Sequence, residues 1–502
     1  MSGPDTDTHD ATGMSGVRLD AIFRRNAARR PDTLALADQP NREVVTDGAP
    51  RKLTYADAER AIARLAVMLR QLGLPPRAVV ALQLPNTVEA VIALLAVLRA
   101  GFVAAPLPLL WRRAEGAAAM TQVNARAIIT SGRIGEADHG AIALQMAADV
   151  LSVRYVCGFG TASDGIVPLD DIFSHSGEGS GDVETPPTHE DAALAAVTFD
   201  TATGRATARG HTALLVGGLT SVLEADLPRH ARIINTMLPS TFATLATAVV
   251  PWILTGGTLS LHHPFDAAAL AEQMRESADA IVVPSPLAAR FNAPFGASRL
   301  VVIWRDPQRH AQAAPSPHGM ALVDILAFGE TGIIAARRNE DGRPARIATG
   351  PRFAPHGASD APMVMRIART VRGTLALGGP MLPVPLPETG ERSTGTGEPQ
   401  DTGYPCRVDP NDGALTVTGT PAGLVNVGGY CFVMSALHES TARVDAGSVL
   451  AALPDPLAGQ KLAGAVGDPA AMRHALAVLG VNPLVANAFR DPRRDPLDTP
   501  VA

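Results

Sequence analysis

Only two of the 502 residues are lysine, Lys52 and Lys461, so nearly every cation in the chain is an arginine. Abundant Arg, Ala, Gly and Pro are what a GC-rich coding bias produces, which explains the average but not the positions that go without lysine. Aromatic residues are also few, 4% against 46% hydrophobic. The core must therefore be built from Ala, Val, Leu and Ile, which suits helices packed on parallel sheets. Three separated cysteines, Cys157, Cys406 and Cys431, form no CxxC and accompany no His cluster at ligand spacing. That argues against a disulfide framework or a zinc site and favours a reducing, cytoplasmic setting. With a net charge of −6, the chain offers no electrostatic case for nucleic acid. The longest apolar run, Thr244 to Leu261, is broken by Pro251 and by Gly256-Gly257. It falls short of the roughly 20 residues a membrane span needs, so no membrane partner is expected. Residues 1–16 lack the basic start and apolar core of a signal peptide and read as a disordered tail. No GxGxxG follows the first strand, and no GxSxG element is present, which weakens dinucleotide-enzyme and serine-hydrolase readings.

Helical periodicity is clearest from Tyr55 to Leu72, with Ala58, Ile62, Leu65, Leu69 and Leu72 on one face, Thr54 as capping residue and Gly73 as terminator. A strand over Ala78 to Leu84, a Pro85-Asn86 turn, a helix over Val88 to Arg99 and a strand over Phe102 to Leu107 follow. The rhythm continues through strands at Ala127 to Thr130, Ser152 to Val156 and Ala192 to Phe199, which predicts right-handed crossovers and a parallel sheet. Further on, helices are expected over Ala213 to Ala225 and Pro239 to Leu254, with strands at Ile233 to Met237, Thr258 to Leu261, Ala280 to Val283 and Leu300 to Ile303. From about Gly357 short β-rich runs alternate with turns. Pro383 to Thr402 reads as a mobile surface segment, and Asp412-Gly413 as a hairpin turn. At this length roughly two to four structural units are expected. The boundaries drawn are a tail at 1–16, a large α/β region at 17–356, a β-rich subdomain at 357–419, a small C-terminal domain at 420–490 and a polar tail at 491–502.

The stretch Leu53 to Ala58, Leu82 to Thr87 and Leu94 to Pro106 resembles the adenylate-forming (AMP-binding) superfamily, the acyl-CoA synthetases and their relatives. The resemblance extends weakly over most of the chain. It implies a large N-terminal domain of parallel sheets flanked by helices, a β-rich subdomain and a small C-terminal α+β domain. It also implies ATP and Mg²⁺ as cofactors and a small carboxylic acid or acyl ligand. The family's phosphate loop, resembling SGTTGxPKG, here runs Asp200-Thr201-Ala202-Thr203-Gly204-Arg205-Ala206-Thr207-Ala208. A glycine has become Thr201, the proline Ala206 and the lysine Thr207; Arg205 and Arg209 are the nearby cations. A guanidinium is a larger planar fork and no equivalent of an ammonium at a reacting centre. Asp200 adds a carboxylate that would repel a triphosphate.

The family's YGxTE motif reads Phe328-Gly329-Glu330-Thr331-Gly332, which leaves Glu330 two residues from the position of the metal-binding carboxylate. Trp304-Arg305-Asp306 stands where relatives have a glycine-rich adenine-contacting turn, so bulky side chains are expected to fill the adenine slot. The ribose motif TGD reads Thr402-Gly403-Tyr404, and a phenol cannot replace a bidentate carboxylate acceptor. The hinge motif GRxxD reads Gly419-Thr420-Pro421-Ala422-Gly423, whereas Val427-Gly428-Gly429-Tyr430 matches the turn that follows it. No lysine follows Lys461, which reads as a solvated surface residue.

Among the remaining candidates, His211 reads as a solvated histidine at a helix start, and His262-His263 as part of a turn. Ser240 and Phe242 stand where relatives carry an aromatic-His pair lining the acyl pocket, and Cys157 reads as a buried thiol. Each well-placed electrostatic donor is commonly worth about 3 to 4 kcal/mol at a transition state. The combined losses therefore point to a degenerate member with lost or strongly impaired adenylation, acting as a binding, regulatory or complex-forming protein with a protein partner or as a homodimer. The remnant nucleotide site comprises Thr201, Thr203, Gly204, Arg205, Thr207, Arg209, Trp304, Gly329, Glu330, Thr331 and Tyr404, with no catalytic or metal-binding residue assigned. The alternative is an active ATP-dependent carboxylic acid-CoA ligase with rebuilt contacts.

Overall fold

A computed structural model of the chain describes residues 16–160, 163–174, 194–288, 297–313, 321–353, 363–384, 386 and 399–490. Both predicted tails, apart from Gly16, and most of the Pro383 to Thr402 segment lie outside the described residues.

Thr54 opens the helix Tyr55–Gln71 with a capping box: its hydroxyl accepts from the Asp57 N–H at 3.1 Å, and the Asp57 carboxylate accepts from the Thr54 N–H at 3.3 Å. Gly73 follows with φ +65, the left-handed geometry that a glycine adopts without strain. The next helix, Val88–Arg99, is buried along its whole length, in keeping with its nearly unbroken apolar sequence. Its one buried cation, Arg99, is paired with Glu59 at 2.7 Å and with Asp20 at 3.4 Å, which keeps the burial of that charge tolerable.

These helices pack against two large sheets. One has eight strands in the spatial order Gly332–Arg337, Ala321–Phe328, Ala297–Trp304, Ala278–Pro284, Arg232–Asn235, Thr258–Leu261, Leu34–Ala37 and Lys52–Thr54, parallel except at its two edges. The other has seven: Ala206–Gly210, Leu194–Phe199, Val103–Pro106, Val79–Gln83, Ala127–Ser131, Tyr155–Phe159 and Ile166–Pro168. It is parallel except for the first pair. A single apolar cluster joins Leu36, Ile233 and Val301 of the first sheet to Val80 and Ile129 of the second through Ile62, Leu95 and Val216 of the intervening helices. The strand expected at Ser152 to Val156 lies at Tyr155–Phe159, because the chain turns at residues 151 and 152 before it enters the sheet.

The helix expected over Pro239 to Leu254 starts later, at Phe242, and passes through a π-helical stretch at Leu245–Val249 before ending at Thr255. Pro251, which has no N–H to donate, lies just past the widened stretch. This helix crosses His211–Glu224 closely at Gly217 and Gly218. A six-stranded antiparallel sheet forms the β-rich part. Two of its strands, Ile347–Ala348 and Gly350–Phe353, precede the expected boundary at 357. The Asp412-Gly413 turn joins Gln400–Val408 to Ala414–Val417.

Beyond residue 420, two hairpins and the helices Met434–Val444 and Pro469–Val478 bury Phe432, Leu476 and Phe489. These side chains share an apolar cluster with Trp111 and Phe199 of the large region. Lys461 is exposed on the strand Gly459–Ala465, in keeping with a solvated surface residue. Among the described residues, no helix is long and apolar enough to cross a membrane.

Candidate functional site

Strand Leu194–Phe199 turns at residues 200–205 and returns antiparallel as Ala206–Gly210, directly ahead of the helix His211–Glu224. Of the expected loop Asp200 to Ala208, only residues 200–205 are therefore a loop. The Asp200 N–H donates to the Arg205 carbonyl at 2.9 Å and closes the turn. One carboxylate oxygen of Asp200 accepts from the Ala202 N–H at 3.1 Å, the Thr203 N–H at 2.9 Å and the Thr203 hydroxyl at 2.9 Å. The Gly204 N–H donates to the Asp200 carbonyl at 2.8 Å, the Arg205 N–H to the Thr203 hydroxyl at 3.3 Å, and the Ala206 N–H to the Gln122 side-chain carbonyl. Five successive backbone donors, the groups that would cradle a phosphate, are thus all engaged by protein acceptors. Gly204, at φ +69, provides the left-handed step in this turn.

Both candidate cations of the loop lie away from an open site. Arg205 is exposed to solvent. Arg209 is 1% exposed; its guanidinium stacks on the Phe242 ring at 3.8 Å and donates to Thr198 Oγ1 at 3.3 Å and to the backbone carbonyls of Glu330 and Thr331. Burial lowers its pKa to about 10, with the carboxylate of Glu330 opposing the shift. Thr207 sits mid-strand opposite Thr198.

Residues 329–331 form the tight turn between paired Phe328 and Gly332, so the two-residue offset of Glu330 does not preserve its facing. Its carboxylate accepts from the Phe242 N–H at 2.9 Å, capping that helix, and lies 4.0 Å from Arg209. Burial pushes the Glu330 pKa up. At Gly332 itself, a Cβ would sit 3.0 Å from Leu377 Cδ1, leaving little room for the missing carboxylate. A Cβ on Gly329 would lie 3.0 Å from the Asp200 carboxylate, so the turn at 200–205 and the turn at 329–331 touch.

A small cavity does lie between these motifs, lined by Thr241, Ala243, Arg305, Ala327, Gly329, Glu330, Tyr404 and Cys431. The space open to the centre of a water-sized sphere is about 20 Å³. That holds about one water and is far below what a nucleotide needs. Tyr404 is buried in its wall, edge-on to Phe328 at 5.3 Å, and burial pushes its phenol pKa up. Trp304 does not line it, contrary to the expected filling of an adenine slot. Trp304, the last residue of the strand Ala297–Trp304, turns to the far side, donating to Asp324 at 2.7 Å and meeting His310 edge-on, while Arg305, the first residue beyond the strand, faces the cavity. Arg305 is not among the expected site residues, although it stands beside Trp304 in the segment compared with the family's adenine-contacting turn.

His211 is also corrected. It is 6% exposed, its Nδ1 accepts from the Leu19 N–H at 3.3 Å, and burial lowers its pKa to about 4. His262 is buried against Gln273 at 2.7 Å and accepts from the Asp266 N–H at 3.0 Å, serving the turn. Cys157 is buried within the strand Tyr155–Phe159. A second cavity, lined by Leu82, Leu94, Leu107, Pro239, Ser240 and Val249 among others, is of similar size and almost wholly apolar. Among the described residues no group of three or more His, Cys, Asp or Glu could hold a metal ion.

A family model described as AMP-binding enzyme matches residues 23–297, more than half of the chain. An 87-residue stretch is 40% identical to the salicyl-AMP ligase / salicyl-S-ArCP synthetase of Mycobacterium tuberculosis, covering 17% of this chain and 14% of that protein. Among solved structures, the amide bond synthetase McbA from Marinactinospora thermotolerans is similar with a TM-score of 0.66 at 18% identity, over 92% of each chain. ATP-bound MatB from Rhodopseudomonas palustris gives 0.60 at 19%, also over 92% of each. The anthranilate CoA ligase AuaEII, solved with anthranoyl-AMP, gives 0.61 at 16%, over 92% of this chain and 90% of that one. At such identities these three likenesses speak for the fold, and it is the family match over residues 23–297 that places this chain in the AMP-binding enzyme family.

Proposed function

We propose that this chain is a degenerate AMP-binding family member whose nucleotide site is occupied by its own groups, and that it acts as a binding, regulatory or complex-forming protein rather than as an adenylating ligase. The observation that carries this reading is the engagement of all five backbone N–H groups from Ala202 to Ala206, two of them by the Asp200 carboxylate. An incoming phosphate would have to displace that carboxylate and would then face its charge across the loop. ATP and Mg²⁺ do not fit the residues present: Glu330 is turned inward to Phe242, Tyr404 fills the ribose-motif position, and the cavity between them holds about one water.

The competing reading, an active carboxylic acid-CoA ligase, draws support from the segment 40% identical to a salicyl-AMP ligase and from Arg305, a cation facing the cavity. Pyrophosphate release over a panel of aromatic and aliphatic acids with coenzyme A separates the two. No release above a protein-free blank is expected, and turnover with any acid would establish the ligase.

A further inference from the structure

The small C-terminal unit meets the large region at the remnant site. Its hairpin Leu424–Val427/Tyr430–Val433 turns through Gly428 and Gly429, both at positive φ, and this turn is inserted between the motif loops. Three contacts hold it there. The Cys431 N–H donates to Thr201 Oγ1 at 2.8 Å. Arg305 bridges the two units, one terminal nitrogen donating to the Gly429 carbonyl at 2.6 Å and the other to Thr241 Oγ1 at 3.2 Å. The Leu110 N–H donates to the buried Tyr430 hydroxyl at 2.9 Å. Farther off, the Asn482 N–H donates to Glu115 at 2.8 Å.

The substitutions that mark the degenerate motifs supply two of these contacts. Thr201, which stands where the family has a glycine, provides the oxygen that accepts from Cys431. Arg305, in the segment that relatives fill with glycines, grips the Gly429 carbonyl. Arg305 is also the cation that stands among Asp200, Asp306 and Glu330, whose carboxylates act together on the Cys431 thiol. Arg305 offsets part of the effect of these carboxylates on the thiol, and of the three only Glu330 lines the cavity.

We propose that Thr201 and Arg305 form a latch that holds the Gly428–Cys431 turn closed over the remnant nucleotide site, and that release of this latch is the conformational step exposing Glu330, Tyr404 and Cys431 together. The proposal rests on the reading that the chain fills its own nucleotide site, but its test uses no nucleotide, so the two can fail separately.

Cys431 lines the cavity and reports on the latch directly. While the hairpin is seated Cys431 is only partly exposed, and desolvation pushes its thiol up to about 12, too high to form the reactive thiolate at neutral pH. The experiment is maleimide labelling of the full-length chain at neutral pH, read cysteine by cysteine by mass spectrometry. In the native protein Cys431 should label at least about 100-fold more slowly than in urea. Arg305→Ala should accelerate Cys431 labelling by about 10- to 100-fold, the factor set by losing one charge-assisted hydrogen bond, while Cys157 and Cys406 stay protected. Should Arg305→Ala loosen the whole fold and speed all three cysteines, Thr201→Val, which removes only the acceptor of the Cys431 N–H, supplies the selective test. Native Cys431 labelling as fast as in urea, or no selective acceleration in either variant, would overturn the latch.

Discussion

At the scale of single residues, Asp200 does the most to determine the state of the site. The sequence marks it only as a carboxylate that repels phosphate, whereas in the fold it takes the place an anion would have, accepting from the N–H groups of Ala202 and Thr203. Asp200→Asn, which keeps an acceptor oxygen, should leave stability within about 0.5 kcal/mol, while Asp200→Ala should cost about 1–2 kcal/mol. Urea unfolding of the two variants checks this, and equal midpoints would show that the carboxylate's contacts do not hold the turn. His211 was misread because its place at a helix start says nothing about the N-terminus of a helix nearly 200 residues away, which covers it. Its folded pKa is about 4, depressed from 6.5, so its contribution to stability is present above pH 6.5 and is lost as pH falls towards 4. The loss amounts to about 3 kcal/mol at most. His211→Phe should lower the melting temperature at pH 8, where the bond to Leu19 is lost, yet flatten its fall between pH 6.5 and 4.5. An unchanged pH slope would mean another group governs acid unfolding.

At the scale of elements, the long periodic helices were legible because their signals are local. Thr54 and Asp57 cap one end of Tyr55–Gln71 and Gly73 closes the other, and the apolar run predicted Val88–Arg99 to the residue. What was not legible is what depends on neighbours. The facing of Trp304 and Arg305 depends on where one strand of an eight-stranded sheet ends: Trp304 is still paired with Leu326 and turns away from the cavity, while Arg305, in the bend that follows, meets it. The closeness of two helices at Gly218 is likewise invisible in sequence. There a Cβ would lie 2.2 Å from Val250 Cγ1 and 2.6 Å from its Cβ. Gly218→Ala gains about 1 kcal/mol of helix propensity but overpacks this crossing by about 1–3 kcal/mol or more, so a net loss of about 1–2 kcal/mol is expected. The urea midpoint decides the sign. A stabilised variant would show that the helices separate freely.

At the scale of the whole molecule, the pattern of helices, strands and turns pointed to the family, and the family match together with the two parallel-cored sheets agrees with it. The candidate site was only half legible, since the sequence shows where residues differ from the motifs they resemble but not which groups the loop's backbone donors bond to. Lysine is absent from the phosphate loop, and in the folded chain its backbone donors already have partners among Asp200, Thr203 and Gln122. This internal occupation is the central claim, and calorimetric titration of the full-length protein with ATP and Mg²⁺ tests it most directly. The account predicts no saturable heat up to millimolar ATP; a micromolar dissociation constant would contradict it.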